Sequence, residues 1–212
     1  MTAVGWRSRQ RQTFCRAVLG VLLLLFAAAA RATDGPASVV QVNGSPRVQR
    51  GGQTSDLQVG MTIGVDAVVE TDAGAKVKLR LADGSILEIG PQSRLTLREF
   101  VLEPRNRRAQ LEVLVGRFRL AIAAFVAGPS DYEVRTPTAV AGVRGTVLWG
   151  DTDVDAICAL EGHVEVRALH GAASPARLET GHCVREMGKG KTLPFTPTPQ
   201  ELANFLKQVT LD

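Results

Sequence analysis

The run Lys76-Val77-Lys78-Leu79-Arg80-Leu81 does most to limit what this chain can become. Its apolar residues recur at every second position, the period of a β-strand, so Val77, Leu79 and Leu81 share one face while Lys76, Lys78 and Arg80 share the other. Asp83-Gly84 then supplies turn chemistry, Ile86 to Ile89 is the return strand, and Gly90-Pro91 ends it. A strand pair with one apolar face must cover that face with a second layer.

The same rhythm runs from Ser38 to about Met187. Asn43-Gly44 predicts a hairpin after Val39 and Val42, and Gly51-Gly52 a second turn after Val48. Arg94 to Arg98 alternates with its leucines inward; Leu111, Val113 and Val115 continue the pattern. Tyr132 with Val134, Val147 to Trp149, Val154 to Leu160 and Val164 to Val166 add strands, and Arg177 to Glu179 and Cys183 to Arg185 add shorter ones. Ala121 to Ala127 is apolar and fits either a strand or a helical turn. Twenty-one glycines among 212 residues suit many tight turns. The expected fold is all-β: a single domain of many short strands, β-solenoid-like or a sandwich, with a short C-terminal amphipathic helix. That helix follows the Pro-rich linker Leu193 to Pro197. Thr198 takes the N-cap position, Pro199 N1 and Glu201 N3, a capping-box arrangement. Leu202, Phe205, Leu206 and Val209 form one stripe. The favoured reading packs this stripe back on the β-domain; the other docks it on a partner.

The first 32 residues read as a cleavable signal peptide. Arg7, Arg9, Arg11 and Arg16 form a basic n-region before the apolar run Ala17 to Ala30, and Ala30-Arg31-Ala32 is a small-x-small cleavage site. Fourteen apolar residues reach about 21 Å, short of a bilayer core, so no membrane span is expected in the mature form. The expected organisation is therefore a signal over 1–32, a β-domain over 33–187, and a linker and helix over 188–212, in an exported, periplasmic protein. The signal holds five of the 25 Lys and Arg and none of the 21 Asp and Glu, leaving 20 basic against 21 acidic residues. The formal charge of +4 thus belongs to the signal and gives no support for nucleic acid as a partner. Cys15 leaves with it. Cys158 and Cys183 remain as an even pair in an oxidising compartment, and a disulfide is the main reading. A zinc site with one histidine and two buried free thiols are the alternatives.

No nucleophile elbow, phosphate loop, dinucleotide fingerprint or zinc-protease motif is present, so neither an enzyme nor a cofactor is expected. Asp151, Asp153 and Asp155 lack the glycine and distal glutamate of a calcium loop and read as a solvated hairpin turn. Arg105, Arg107 and Arg108 read as a solvated basic loop.

Several blocks resemble, in order, those of the FecR domain family. Glu70-Thr71-Asp72-Ala73-Gly74 leads to Val77-x-Leu79-x-Leu81-x-Asp83-Gly84-Ser85, and Leu114-Val115-Gly116-Arg117 follows. The most specific block is Thr136-Pro137-x-Ala139-Val140-x-x-x-Arg144-Gly145-Thr146. The resemblance covers about residues 38–186. It implies a periplasmic binding or sensing domain whose partner is another envelope protein or a cell-envelope polymer. Family regulators typically add a cytoplasmic segment that binds a sigma factor and a membrane helix; only sixteen residues precede the apolar run here, so direct sigma-factor control is not expected. The alternative is a scaffolding protein that binds peptidoglycan or another polymer. Asp83, Gly84, Thr136, Pro137, Arg144, Gly145 and Thr146 are the family-motif residues, structural or binding. Gly142 and Gly145 around Arg144 suggest unusual backbone angles or close strand packing. For Arg144 the favoured role is to bury its guanidinium against carbonyls and tie two turns together, ahead of a ligand-binding role.

Overall fold

The computed structural model describes residues 35–211. The expected signal, with its cleavage site after Ala32, lies outside the described residues. The strands are β1 (Ala37–Asn43), β2 (Arg47–Arg50), β3 (Gln53–Asp56), β4 (Thr62–Ile63), β5 (Val68–Glu70), β6 (Lys76–Leu81), β7 (Ile86–Ile89), β8 (Arg94–Glu103) and β9 (Asn106–Val115). They continue with β10 (Arg117–Ala121), β11 (Ser130–Arg135), β12 (Ala139–Val143), β13 (Val147–Asp151), β14 (Ala156–Glu161), β15 (His163–Ala168), β16 (Ala176–Glu179), β17 (Cys183–Arg185) and β18 (Leu193–Phe195). One α-helix, α1 (Pro199–Val209), follows.

Two nine-stranded sheets form. The first has the order β18-β17-β14-β13-β10-β7-β6-β1-β4, the second β16-β15-β12-β11-β9-β8-β5-β2-β3. All pairs are antiparallel except β9 with β11. From β6 onward the chain passes between sheets mostly one hairpin at a time, which accounts for the loose periodicity of the sequence. The inward faces share one core: Val77, Leu79, Leu87 and Ile89 of the first sheet with Leu95, Leu97, Leu111 and Val134 of the second. The architecture is thus a two-sheet, all-β sandwich with a short C-terminal helix.

Three local expectations are corrected. Asn43-Gly44 does not close a hairpin: β1 pairs with β4 and β6, β2 with β3 and β5, so this turn carries the chain from one sheet to the other. Turn chemistry decides that the chain reverses, while non-local burial decides its partner. Of the basic segment Arg105 to Arg108, Arg105 does lie in an exposed turn and Arg108 is exposed, but β9 begins at Asn106 and buries Arg107. Val154 belongs to an exposed turn before β14 rather than to a strand.

Helix α1 lies on the outer face of the first sheet. The Thr198 side chain accepts from the Glu201 N–H, and the Glu201 carboxylate accepts from the Thr198 N–H, closing the capping box. Phe205 stacks on Trp149 with ring centroids 4.3 Å apart, Val209 is buried, and Leu202 and Leu206 are half-buried. Lys76 donates to the carbonyls of Lys207 and Thr210, and Lys78 to that of Leu211, placing two cations at the negative end of the helix. Strand β13 is consequently buried along its whole length, which is why Val147 to Trp149 reads as an unbroken apolar run.

Candidate functional site

Two polar constellations stand out, one buried and one exposed. The buried one grows from the β6–β7 turn. Asp83 accepts from the Ser85 N–H and Oγ at 2.9 Å each, and Gly84 takes φ +87°, a conformation glycine adopts without strain. The same carboxylate accepts from Arg107 Nη1 at 2.7 Å and from the Tyr132 hydroxyl at 2.5 Å. Arg107 Nε and Nη2 donate to Ser130 Oγ at 3.0 and 2.7 Å. The guanidinium lies 4.9 Å from the Phe125 ring centre and 5.2 Å from that of Tyr132. With side chains 1% and 2% exposed, Arg107 and Asp83 form a charge pair sealed inside the sandwich.

Burial, and next the bond to Asp83, push the Tyr132 phenol above its ordinary range, so it stays a donor. In the unfolded chain this phenol ionises near pH 10. The stability it confers is therefore full below about pH 10 and falls as pH rises beyond it, because the unfolded state then releases a proton that the folded state keeps. Urea unfolding at pH 9 to 11 is expected to show that decline, with a slope up to about 1.4 kcal/mol per pH unit, and Tyr132→Phe to lessen it. An identical slope in the Phe variant would assign the decline to other groups.

The carboxylates expected in a solvated turn are also engaged. Asp151 is buried against Arg117 Nε at 2.7 Å, Asp153 meets Arg117 Nη2 at 3.0 Å, and Asp155 accepts from the Thr138 hydroxyl and the Gly188 N–H. No group of three potential metal ligands occurs among the described residues.

The most specific sequence block builds β12 and the turns at both its ends. Thr136 Oγ1 accepts from the Ala139 N–H at 3.0 Å, and the Thr136 N–H donates to the Ala139 carbonyl, with Pro137 exposed at the corner. At the other end Thr146 is buried, its hydroxyl 2.9 and 3.1 Å from the Arg144 and His163 carbonyl oxygens, and Gly145 takes φ +57°. These two threonines hold the turns. Arg144 does not: its side chain is exposed and makes no hydrogen bond or ion pair among the described residues, which corrects the expectation of a buried guanidinium.

Arg144 instead borders an open groove of about 510 Å³ on the outer face of the second sheet. Its floor is β12, with Val140 and Gly142. Glu133 on β11 and Glu165 on β15 stand in register on either side of Gly142, and Arg167 is the cross-strand partner of Val140. Sequence reading found Arg144 but not Glu133, Glu165 or Arg167, because only strand register brings them together.

Cys158 and Cys183 face each other on paired strands β14 and β17 and are joined by a disulfide. With both sulfurs in the bond, neither the zinc site nor the pair of free thiols forms. His182 stands in the exposed turn before β17, with Nδ1 3.2 Å from the Thr180 carbonyl. The disulfide is buried beside Trp149, Phe205 and Val209, beneath the terminal helix.

Comparison with known proteins places these features in a family. No curated protein matches the sequence. Two crystal structures of a candidate anti-sigma factor from Parabacteroides distasonis ATCC 8503, at 2.50 and 1.65 Å resolution, share the fold. Each has a TM-score of 0.52 and 17% identity over 66% of this chain. The chain spans 63% and 64% of those relatives' lengths, less than two thirds of either. The family described as FecR protein matches residues 67–174, just over half of the 212 residues, including Asp83, Arg107 and Tyr132 of the buried cluster and every strand that floors the groove. On that match, the chain belongs to the FecR family.

Proposed function

We propose that this protein is an exported, non-enzymatic recognition domain of the bacterial envelope that takes part in signalling by binding another protein. The observation that carries the reading is Arg144. Buried hydroxyls clamp both ends of β12, which Arg144 directly follows, yet its guanidinium faces solvent with no partner among the described residues, on the rim of a groove. Structural arginines of this fold look different: Arg107 and Arg117 are held by two or more side-chain bonds each. The β-domain over 33–187 carries the binding face, and the segment 188–212 latches the opposite sheet. Family membership and the shared fold with a candidate anti-sigma factor support a regulatory role.

The test is site-specific photocrosslinking in cells. A photoreactive residue at His163, on the groove rim, is expected to capture one discrete protein; the same residue at Ser55, on edge strand β3, is expected to capture none. Fractionation should place the protein in the envelope, and N-terminal sequencing should begin at Thr33. Sedimentation with cell-wall sacculi without a protein crosslink would favour the scaffolding alternative, and cytoplasmic retention would overturn export.

A further inference from the structure

We propose that the groove binds an extended peptide segment in which a cationic residue is flanked at i−2 and i+2 by acidic residues, the cation sitting over Gly142. The proposal rests on the protein-binding reading above and names the chemistry of the segment bound.

The argument begins with a glycine that the fold does not require. A glycine inside a strand costs about 0.5–1 kcal/mol relative to alanine, so it usually has a backbone or packing reason. Gly116 has both: φ is +102°, and a Cβ there would fall 2.1 Å from Ser93 Oγ. Gly142 has neither. Its φ is not in the left-handed region, and a Cβ there would meet only the Glu165 carbonyl, at 4.0 Å. The missing side chain leaves a slot open to solvent, the arrangement found where another chain comes close to the backbone.

The charges around the slot sort into committed and free. Arg177 is 3.2 Å from Glu179, His163 is 3.6 Å from Glu179, and Asp131 is 3.9 Å from Arg108. Glu133 receives Gln110 and Arg135, both on Oε1. Glu133 is thus paired with Arg135, and what remains is Glu165 beside the slot, with Arg144 and Arg167. The two glutamates stand on strands separated by β12, about 10 Å apart at the backbone. Arg144 lies two residues beyond Gly142, and Arg167 lies opposite Val140, two residues before it, each displaced about 7 Å along the strand. The free charges thus run positive, negative, positive along β12. An extended peptide presents its i−2, i and i+2 side chains on one face at the same spacing of about 7 Å. Acid, base, acid is the complement.

The whole protein, ¹⁵N-labelled, is titrated with acetyl-Asp-Thr-Lys-Thr-Asp-amide and with its charge reversal, acetyl-Lys-Thr-Asp-Thr-Lys-amide. The first is expected to shift the Gly142 and Glu165 amides and to bind at least about tenfold more tightly than the second, and to weaken as salt is raised. Gly142→Val fills the slot in open space, so it should keep the thermal midpoint and lose about tenfold in affinity; Glu165→Gln should lose affinity in the same direction. Equal affinity for the two peptides, no shift at these amides in the millimolar range, or full binding by the Gly142→Val variant overturns the proposal. A protein crosslink at His163 alongside any of these results would leave the protein-binding reading standing and remove only the charge pattern.

Discussion

Arg107→Ala is expected to destabilise the fold by about 3–5 kcal/mol, the scale on which removing one partner of a buried ion pair acts. The loss comes chiefly from what stays behind. Asp83 would remain 2% exposed, with a carboxylate that still serves the Ser85 N–H and the Tyr132 hydroxyl but no longer faces a cation. Truncation also removes the guanidinium from between the Phe125 and Tyr132 rings. Urea unfolding measures the effect. Surface arginine Arg47, paired with a well-exposed Asp72, is the control, expected to change stability by less than about 1 kcal/mol on substitution by alanine. A double-mutant cycle with Asp83→Asn isolates the pair, and its coupling should be well above zero. An Arg107→Ala variant as stable as the Arg47 control would refute the buried-pair account.

Loss of the disulfide is the second large effect. The bond closes a loop of 25 residues, and the entropy it removes from the unfolded chain corresponds to about 3 kcal/mol. Cys158→Ala with Cys183→Ala should therefore lower the urea midpoint markedly. Because Phe205 and Val209 pack with the two cysteines, α1 is expected to slow the access of reductant to the bond. Deleting residues 198–212 should speed reduction under native conditions several-fold. The intact protein from envelope extract should weigh about 2 Da less than its reduced form. Two thiols that alkylate without reductant in the native protein would refute the bond, and unchanged reduction rates after truncation would refute the covering role of the helix.

Much of the architecture was legible in residue order. The alternation at Lys76–Leu81 and Arg94–Arg98, the Asp83-Gly84 turn and the Thr198–Glu201 cap are short-range patterns, and the strands and helix form where these patterns place them. Arg107 was within reach too. It falls in phase with Ala109, Leu111 and Val113, the inward face of β9, but its charge and its neighbours Arg105 and Arg108 pointed to solvent. Phase was the better guide than residue type, because a charge can be buried once a partner and hydrogen bonds are supplied.

By itself the sequence determined which residues face inward where alternation is clean, as on β6, where many of the turns occur, and which segment is helical, since those preferences act over two to four residues. Only the tertiary structure decided which strands pair and which charges meet. Asp83 finds Arg107 across 24 residues and Tyr132 across 49, and Glu133 and Glu165 face each other only because β11 and β15 both pair with β12. Asn43-Gly44 shows the division plainly: its backbone freedom permits a reversal, but the burial of β1 and β2 in different sheets makes it a crossing rather than a hairpin. Local sterics act at the scale of a turn. Pairing is selected by the free energy of covering an entire apolar face, and that sum is taken over the whole chain.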